Sequence, residues 1–135
     1  MKRLIATVLL VITAGILVAR IPGHAQDPAS KASLDHFMEL KLEHSKSILE
    51  GLATEDYEMI ATGAQRLTAL SLESSWNVHT TQRYLDQSAD FRRALLVITE
   101  AAREEKLDRA ALGYVNMTVQ CMECHRYLRK QGSAK

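Results

Sequence analysis

A chain of 135 residues with a hydrophobic fraction of 47% and a formal net charge of +1 has the size and composition of one ordinary globular domain. Aromatic residues make up only 5%, and six glycines and two prolines are too few for a turn-rich all-β architecture, so the expectation is an all-α fold.

The first 25 residues differ in character from the rest. Lys2 and Arg3 precede LIATVLLVITAGILVA, residues 4–19, an unbroken run of small and apolar residues. This is the charged start and apolar middle of an export signal, and Gly23 and Ala25 are the small residues a signal peptidase inspects, so cleavage is expected between Ala25 and Gln26. An uncleaved membrane anchor is the alternative, but 16 residues fall short of the ~20 that span a bilayer. Residues 26–135 are then a periplasmic domain. Loss of Lys2, Arg3 and Arg20 leaves 14 basic against 16 acidic side chains, net charge −2, which gives the domain no electrostatic claim on nucleic acid or an anionic membrane.

Four helical stretches follow, with neither an internal repeat nor a low-complexity tract. The first runs from Ser33 to Leu49, its apolar stripe centred near Met38 and including Leu34, Leu42, Ser45, Ile48, Leu49 and Leu52, with Glu39, Glu43 and Glu50 opposite. Gly51 is expected to end it in the left-handed conformation. Thr54 is expected to cap a second helix whose inner face holds Ile60, Ala64, Leu67 and Leu70 or Ser71. Asp86 or Ser88 is the expected cap of a third, with Phe91, Leu95, Ile98 and Ala102 inward. Lys106 and Leu107 form a break, and Asp108 caps a fourth helix with Ala111, Tyr114, Thr118, Cys121, His125 and Leu128 on one face. Short joins make an antiparallel up-down-up-down four-helix bundle the economical arrangement.

CMECH, residues 121–125, holds both cysteines of the chain. Covalent haem attachment requires two thiols spaced to reach the two porphyrin vinyl groups and a nitrogen base beside them for the iron, and C-x-x-C-H supplies both. A thioredoxin-like C-x-x-C opens a helix after a strand, whereas this one lies late in a helix with no strand nearby. A structural zinc site needs four ligands, and beyond the motif the mature chain offers His36, His44 and His79 besides carboxylates. A bare disulfide, permitted outside the cytoplasm, has no use for the histidine. The reading is therefore one covalent haem c, tethered by Cys121 and Cys124, its iron held by His125.

In an up-down-up-down bundle the start of the first helix, the join between the second and third and the end of the fourth share one end of the molecule. That end is where the haem is expected. Met38 then stands on the distal side, either as a thioether ligand opposite histidine, which raises the reduction potential, or as core packing that, like Leu42, roofs a five-coordinate iron. His44, about 9 Å deeper along the axis, is the rival donor, and His36, among Glu39 and Glu43, reads as a surface residue. The same end receives Trp76, which could cover a porphyrin edge, and Phe37 and Phe91, which could wall the cavity or pack the core. Arg126 and Arg129 flank the ligand and could pair with the propionates or answer the helix dipole.

With CMECHRYLRK near the C-terminus, FMELKL in the first helix and SADFRRAL leading the third, the chain resembles the cytochrome c-prime and four-helix cytochrome b superfamily across residues 31–130. It is most similar to the low-spin c-type members. The resemblance implies thioethers on Cys121 and Cys124, His125 as fifth ligand and Met38 as sixth. It also implies an electron carrier that is not an enzyme, working with redox partner proteins. Cytochromes c-prime that keep an apolar distal residue imply the alternative, a five-coordinate site for nitric oxide or carbon monoxide. Whether two copies pair through helix faces is left open by the surface stripes.

Overall fold

The computed structural model describes residues 28–73, 76 and 79–133, with side chains described from Leu34 to Gly132, so the expected export signal lies outside the described residues. Four helices form in chain order: α1 Pro28–Thr54, α2 Tyr57–Leu70, α3 Gln82–Arg103 and α4 Leu107–Ser133. The fold is all-α, with no strand among the described residues. Consecutive helices pack antiparallel as a four-helix bundle. Among the described residues no helix is long and apolar enough to cross a membrane.

The core is built from one face of each helix. Ile48 of α1, Ile60 and Leu67 of α2, Leu95 and Ile98 of α3 and Met117 of α4 are fully buried, and burying each such side chain contributes about 1.5–3 kcal/mol. The inner faces expected for α2 and α3 hold: Ile60, Ala64, Leu67, Leu70 and Ser71, then Phe91, Leu95, Ile98 and Ala102, are all buried. The surface placement of His36 holds as well, its ring 3.9 Å from Glu39.

Glycines bring the helices of each hairpin close together. A Cβ on Gly63 would stand 2.7 Å from Ile48 Cγ1 and 3.1 Å from the His44 carbonyl oxygen, and one on Gly113 would stand 2.8 Å from Ile98 Cγ1. Gly51 has the same role against Ile60, where an added Cβ would meet Cγ1 at 2.9 Å. It is therefore an interior packing residue, and the expectation that it ends the first helix is corrected: α1 continues to Thr54.

The turn that follows α1 uses Glu55 in the left-handed region, φ 56°, and the turn after α3 uses Glu105 at φ 54°. Each turn is closed by an amide reaching back to the previous helix, Asp56 N–H to the Gly51 carbonyl and Lys106 N–H to the Ala101 carbonyl, both at 2.8 Å. Helix starts also move from their expected positions. Asp56, not Thr54, caps α2, its carboxylate accepting from Met59 N–H at 2.9 Å. Thr81, not Asp86 or Ser88, caps α3, and α4 begins at Leu107 with Asp108 inside its first turn. In each case an alternative polar residue stood within a few positions, and tertiary packing chose between them.

Candidate functional site

The C-terminal half of α4, the stretch of α1 from Phe37 to Lys41 and Trp76 of the α2–α3 join meet at one end of the bundle, as the topology requires. Trp76, in that join, is buried between Phe37 of α1, ring centres 6.5 Å apart and edge-on, and Phe91 of α3, 5.0 Å away. Its indole N–H donates to Ser88 Oγ at 2.9 Å, and its carbonyl accepts from the Tyr84 hydroxyl. A buried tryptophan with its polar handle satisfied on both sides is fixed in place. The Thr81 and Tyr127 hydroxyls share a hydrogen bond of 2.9 Å, which ties the start of α3 to the end of α4.

Against this cluster lie Cys121 and Cys124. Both are free thiols, both partly buried and both packed on the core. One helical turn separates them on the same side of α4. His125 follows at the rim, exposed, and with Cys121, Met122, Arg126 and Arg129 it lines a depression of about 300 Å³. That is the low end of small-molecule pockets.

The expected inner face of α4 needs correction. The buried positions are Ala110, Gly113 and Met117, while Thr118 and His125 are exposed. The helix is thus rotated by a fraction of a turn from the expected orientation, and CMECH sits at the edge of the buried face rather than its centre. A matching rotation affects α1. Phe37 and Ile48 are buried, Met38 is partly buried against the core, and Leu42 and Leu49 of the expected stripe are exposed.

Lys41 was not anticipated. It follows Phe37 by four residues and precedes Ile48 by seven, so it shares their inward face, and that spacing was the available signal. Its Nζ lies 3.8 Å from the centre of a Trp76 ring and 5.8 Å from that of Phe37, a cation held over aromatic faces. Burial lowers its pKa, opposed by the two thiols. Burial raises the pKa of Cys121 and of Cys124, and in both the Lys41 charge works in the opposite direction. His125, though exposed at the rim, keeps part of its ring covered by its neighbours, and that partial covering first, then the charges of Lys41 and Arg129, hold it below its ordinary value.

Gln87 also escaped the sequence reading. It is three residues beyond Tyr84 and four before Phe91, on the face that surrounds Trp76, and its buried Oε1 has no hydrogen-bond partner among the described residues. Such an orphaned acceptor is uncommon in a settled core and fits a site that takes in another polar group.

The donor set suits a tethered haem: two unpaired thiols a turn apart, an imidazole beside them, a wall of aromatic side chains, two arginines at the rim and an unfilled hydrogen-bonding position nearby. Among the described residues no three His, Cys, Asp or Glu side chains gather as a metal-ion site. Comparison with known protein families, with characterised proteins and with solved structures finds no match to this chain.

Proposed function

We propose that this chain is an exported, periplasmic single-haem c-type cytochrome that carries electrons between redox partner proteins and catalyses no reaction of its own. The observation that carries the reading is the pair of unbonded thiols, Cys121 and Cys124, one turn apart on α4, with His125 next in the chain at the mouth of the depression. Cys121 and Cys124 would hold the macrocycle by thioethers, His125 would ligate the iron, and Met38 would close the other side. A haem so held supplies one-electron chemistry, with a potential set by its axial ligands and its surroundings.

The other side chains serve the site without taking part in a reaction. Trp76, Phe37 and Phe91 exclude water from the interior side. Arg126 and Arg129 offer guanidinium groups to propionates at the rim. Two protein ligands leave no open position for a substrate, which is why the reading is a carrier. On this reading the chain resembles the low-spin members of the cytochrome c-prime superfamily.

One observation favours a second reading, a five-coordinate site for nitric oxide or carbon monoxide. The α1 side chain whose charge both thiols feel is Lys41, one turn beyond Met38, and an ammonium there could hydrogen-bond a diatomic ligand.

The test is production of the full chain with haem-attachment machinery, followed by denaturing electrophoresis and a haem stain. A stained band that disappears in the Cys121→Ser/Cys124→Ser double variant is expected, and an unstained wild type overturns both readings. Low-spin spectra in both oxidation states that become high-spin in Met38→Ala then mark the carrier. A high-spin wild type marks the gas binder.

A further inference from the structure

Lys41 carries a charge into the interior and takes part in no ion pair among the described residues. Its acidic neighbours in sequence, Glu39 and Glu43, stand two residues before and after it. At 100° per residue they point to the other side of α1, where both are exposed, so neither neutralises the ammonium.

Aromatic faces take the place of a carboxylate. Helical side chains lean toward the N-terminus, which lays the lysine stem back along Phe37, one turn earlier, and brings Nζ to 5.8 Å from the Phe37 ring centre and 3.8 Å from that of Trp76. Trp76 is itself anchored through its indole N–H to Ser88 Oγ and through its carbonyl to the Tyr84 hydroxyl. A cation–π contact of this kind holds a positive charge in place without cancelling it.

From that position the charge is felt by Cys121, Cys124 and His125 alike. Given the covalent haem proposed above, whichever group closes its distal side, those three residues mark two thioethers and the iron. The propionates of a haem leave the ring on the half opposite its vinyl groups. A cation close enough to act on both vinyl-side sulfurs is therefore remote from the propionates, and the cofactor brings no counter-ion to it. Ferric haem carries one positive charge more than ferrous haem, and in a largely dry interior a fixed cation nearby repels that extra charge.

We infer that Lys41 sets the reduction potential of this site upward, a role that rests on the haem reading: its ammonium, fixed over Trp76 beside Cys121 and Cys124, disfavours the ferric state. Potentiometric titration of the haem-loaded full chain at neutral pH is the test. Lys41→Met is expected to shift the one-electron equilibrium toward the ferric form by about tenfold, which lowers the potential by about 59 mV. Lys41→Gln, a second neutral variant should the first fold poorly, is expected to do the same, and Lys41→Arg to stay near the wild type. Lys46→Met removes one exposed lysine from the same helix and is expected to shift the potential far less, because water and salt screen an exposed charge. Absorption spectra of the variants should keep the wild-type spin state, which separates a charge effect from a change of iron ligand. An unmoved potential in the neutral variants, equal shifts in Lys41→Met and Lys46→Met, a Lys41→Arg potential as low as that of Lys41→Met, or an altered spin state in the neutral variants overturns the role of Lys41 and leaves the haem reading standing. A wild type that takes no haem stain overturns both.

Discussion

The Lys41 ammonium lies 3.8 Å from the centre of a Trp76 ring, on the side of the bundle where the charge of Lys41 reaches both cysteines. Burial holds the thiols above their ordinary pKa, and the Lys41 charge opposes it at both, joined at Cys121 by a backbone hydrogen bond. Lys41→Met keeps the packing volume and removes the charge. In haem-free protein both thiols are expected to alkylate several-fold more slowly at mildly alkaline pH, because the thiolate is the reactive form. Unchanged alkylation rates would show that Lys41 has no hold on the thiols.

Close helix approach at Gly63 has a steric consequence. Gly63→Ala puts a methyl 2.7 Å from Ile48 Cγ1, and overpacking of this kind costs about 1–3 kcal/mol. Ile48→Ala alone opens a cavity and costs about 2–5 kcal/mol. Combined, they should cost less than the sum of the two, since the truncated isoleucine vacates the space the new methyl needs. Additive losses in a denaturant titration would contradict this contact.

Glu55 and Glu105 occupy backbone conformations at φ 56° and 54° that an L side chain adopts at a cost of about 1 kcal/mol. Glycine removes that cost and partly offsets the gain through its freer unfolded chain. Glu55→Gly is expected to raise the unfolding free energy by roughly 0.5 kcal/mol. The slope against urea should not change. The Glu105 side chain makes no ion pair among the described residues, while its neighbour Glu104 binds Arg109 at 2.9 Å, so Glu105→Gly should behave alike.

Tyr84 carries a pH signature. Burial, then Cys124, pushes its phenol up to about 12 from the ordinary 10. Below pH 10 folded and unfolded chains both keep the proton, so the group's contribution is fully present there. From pH 10 to about 12 the unfolded chain releases its proton first, and stability falls as pH rises through that window. Tyr84→Phe should lower stability at neutral pH by about 1 kcal/mol, through loss of the hydrogen bond to the Trp76 carbonyl. It should also flatten the decline above pH 10, as followed by chemical denaturation across pH, and an equally steep decline in the variant would exclude Tyr84 as its source.

Helix content, the inner faces of α2 and α3 and the late helical position of CMECH are all legible in the residues themselves. Ile60, Ala64 and Leu67, or Phe91, Leu95 and Ile98, leave one apolar side and no competitor, so a 3.6-residue period determines which way each helix faces. α1 and α4 are different. Their apolar residues spread over an arc wider than a bundle interior can cover, and periodicity alone centres that arc near Met38 and Thr118. Tertiary packing decides instead for Phe37 and Ile48 on α1 and for Gly113 and Met117 on α4, because a helix can approach its neighbour most closely where Gly63 meets Ile48 and Gly113 meets Ile98. That rotation brings Lys41 over Trp76, moves His125 to the rim and leaves Leu42 and Leu49 of α1 and Leu112, Val115 and Met122 of α4 outside. Local sequence names the chemical groups; which of them share an interior, and which are left facing outward, follows from how closely two helix backbones can pack.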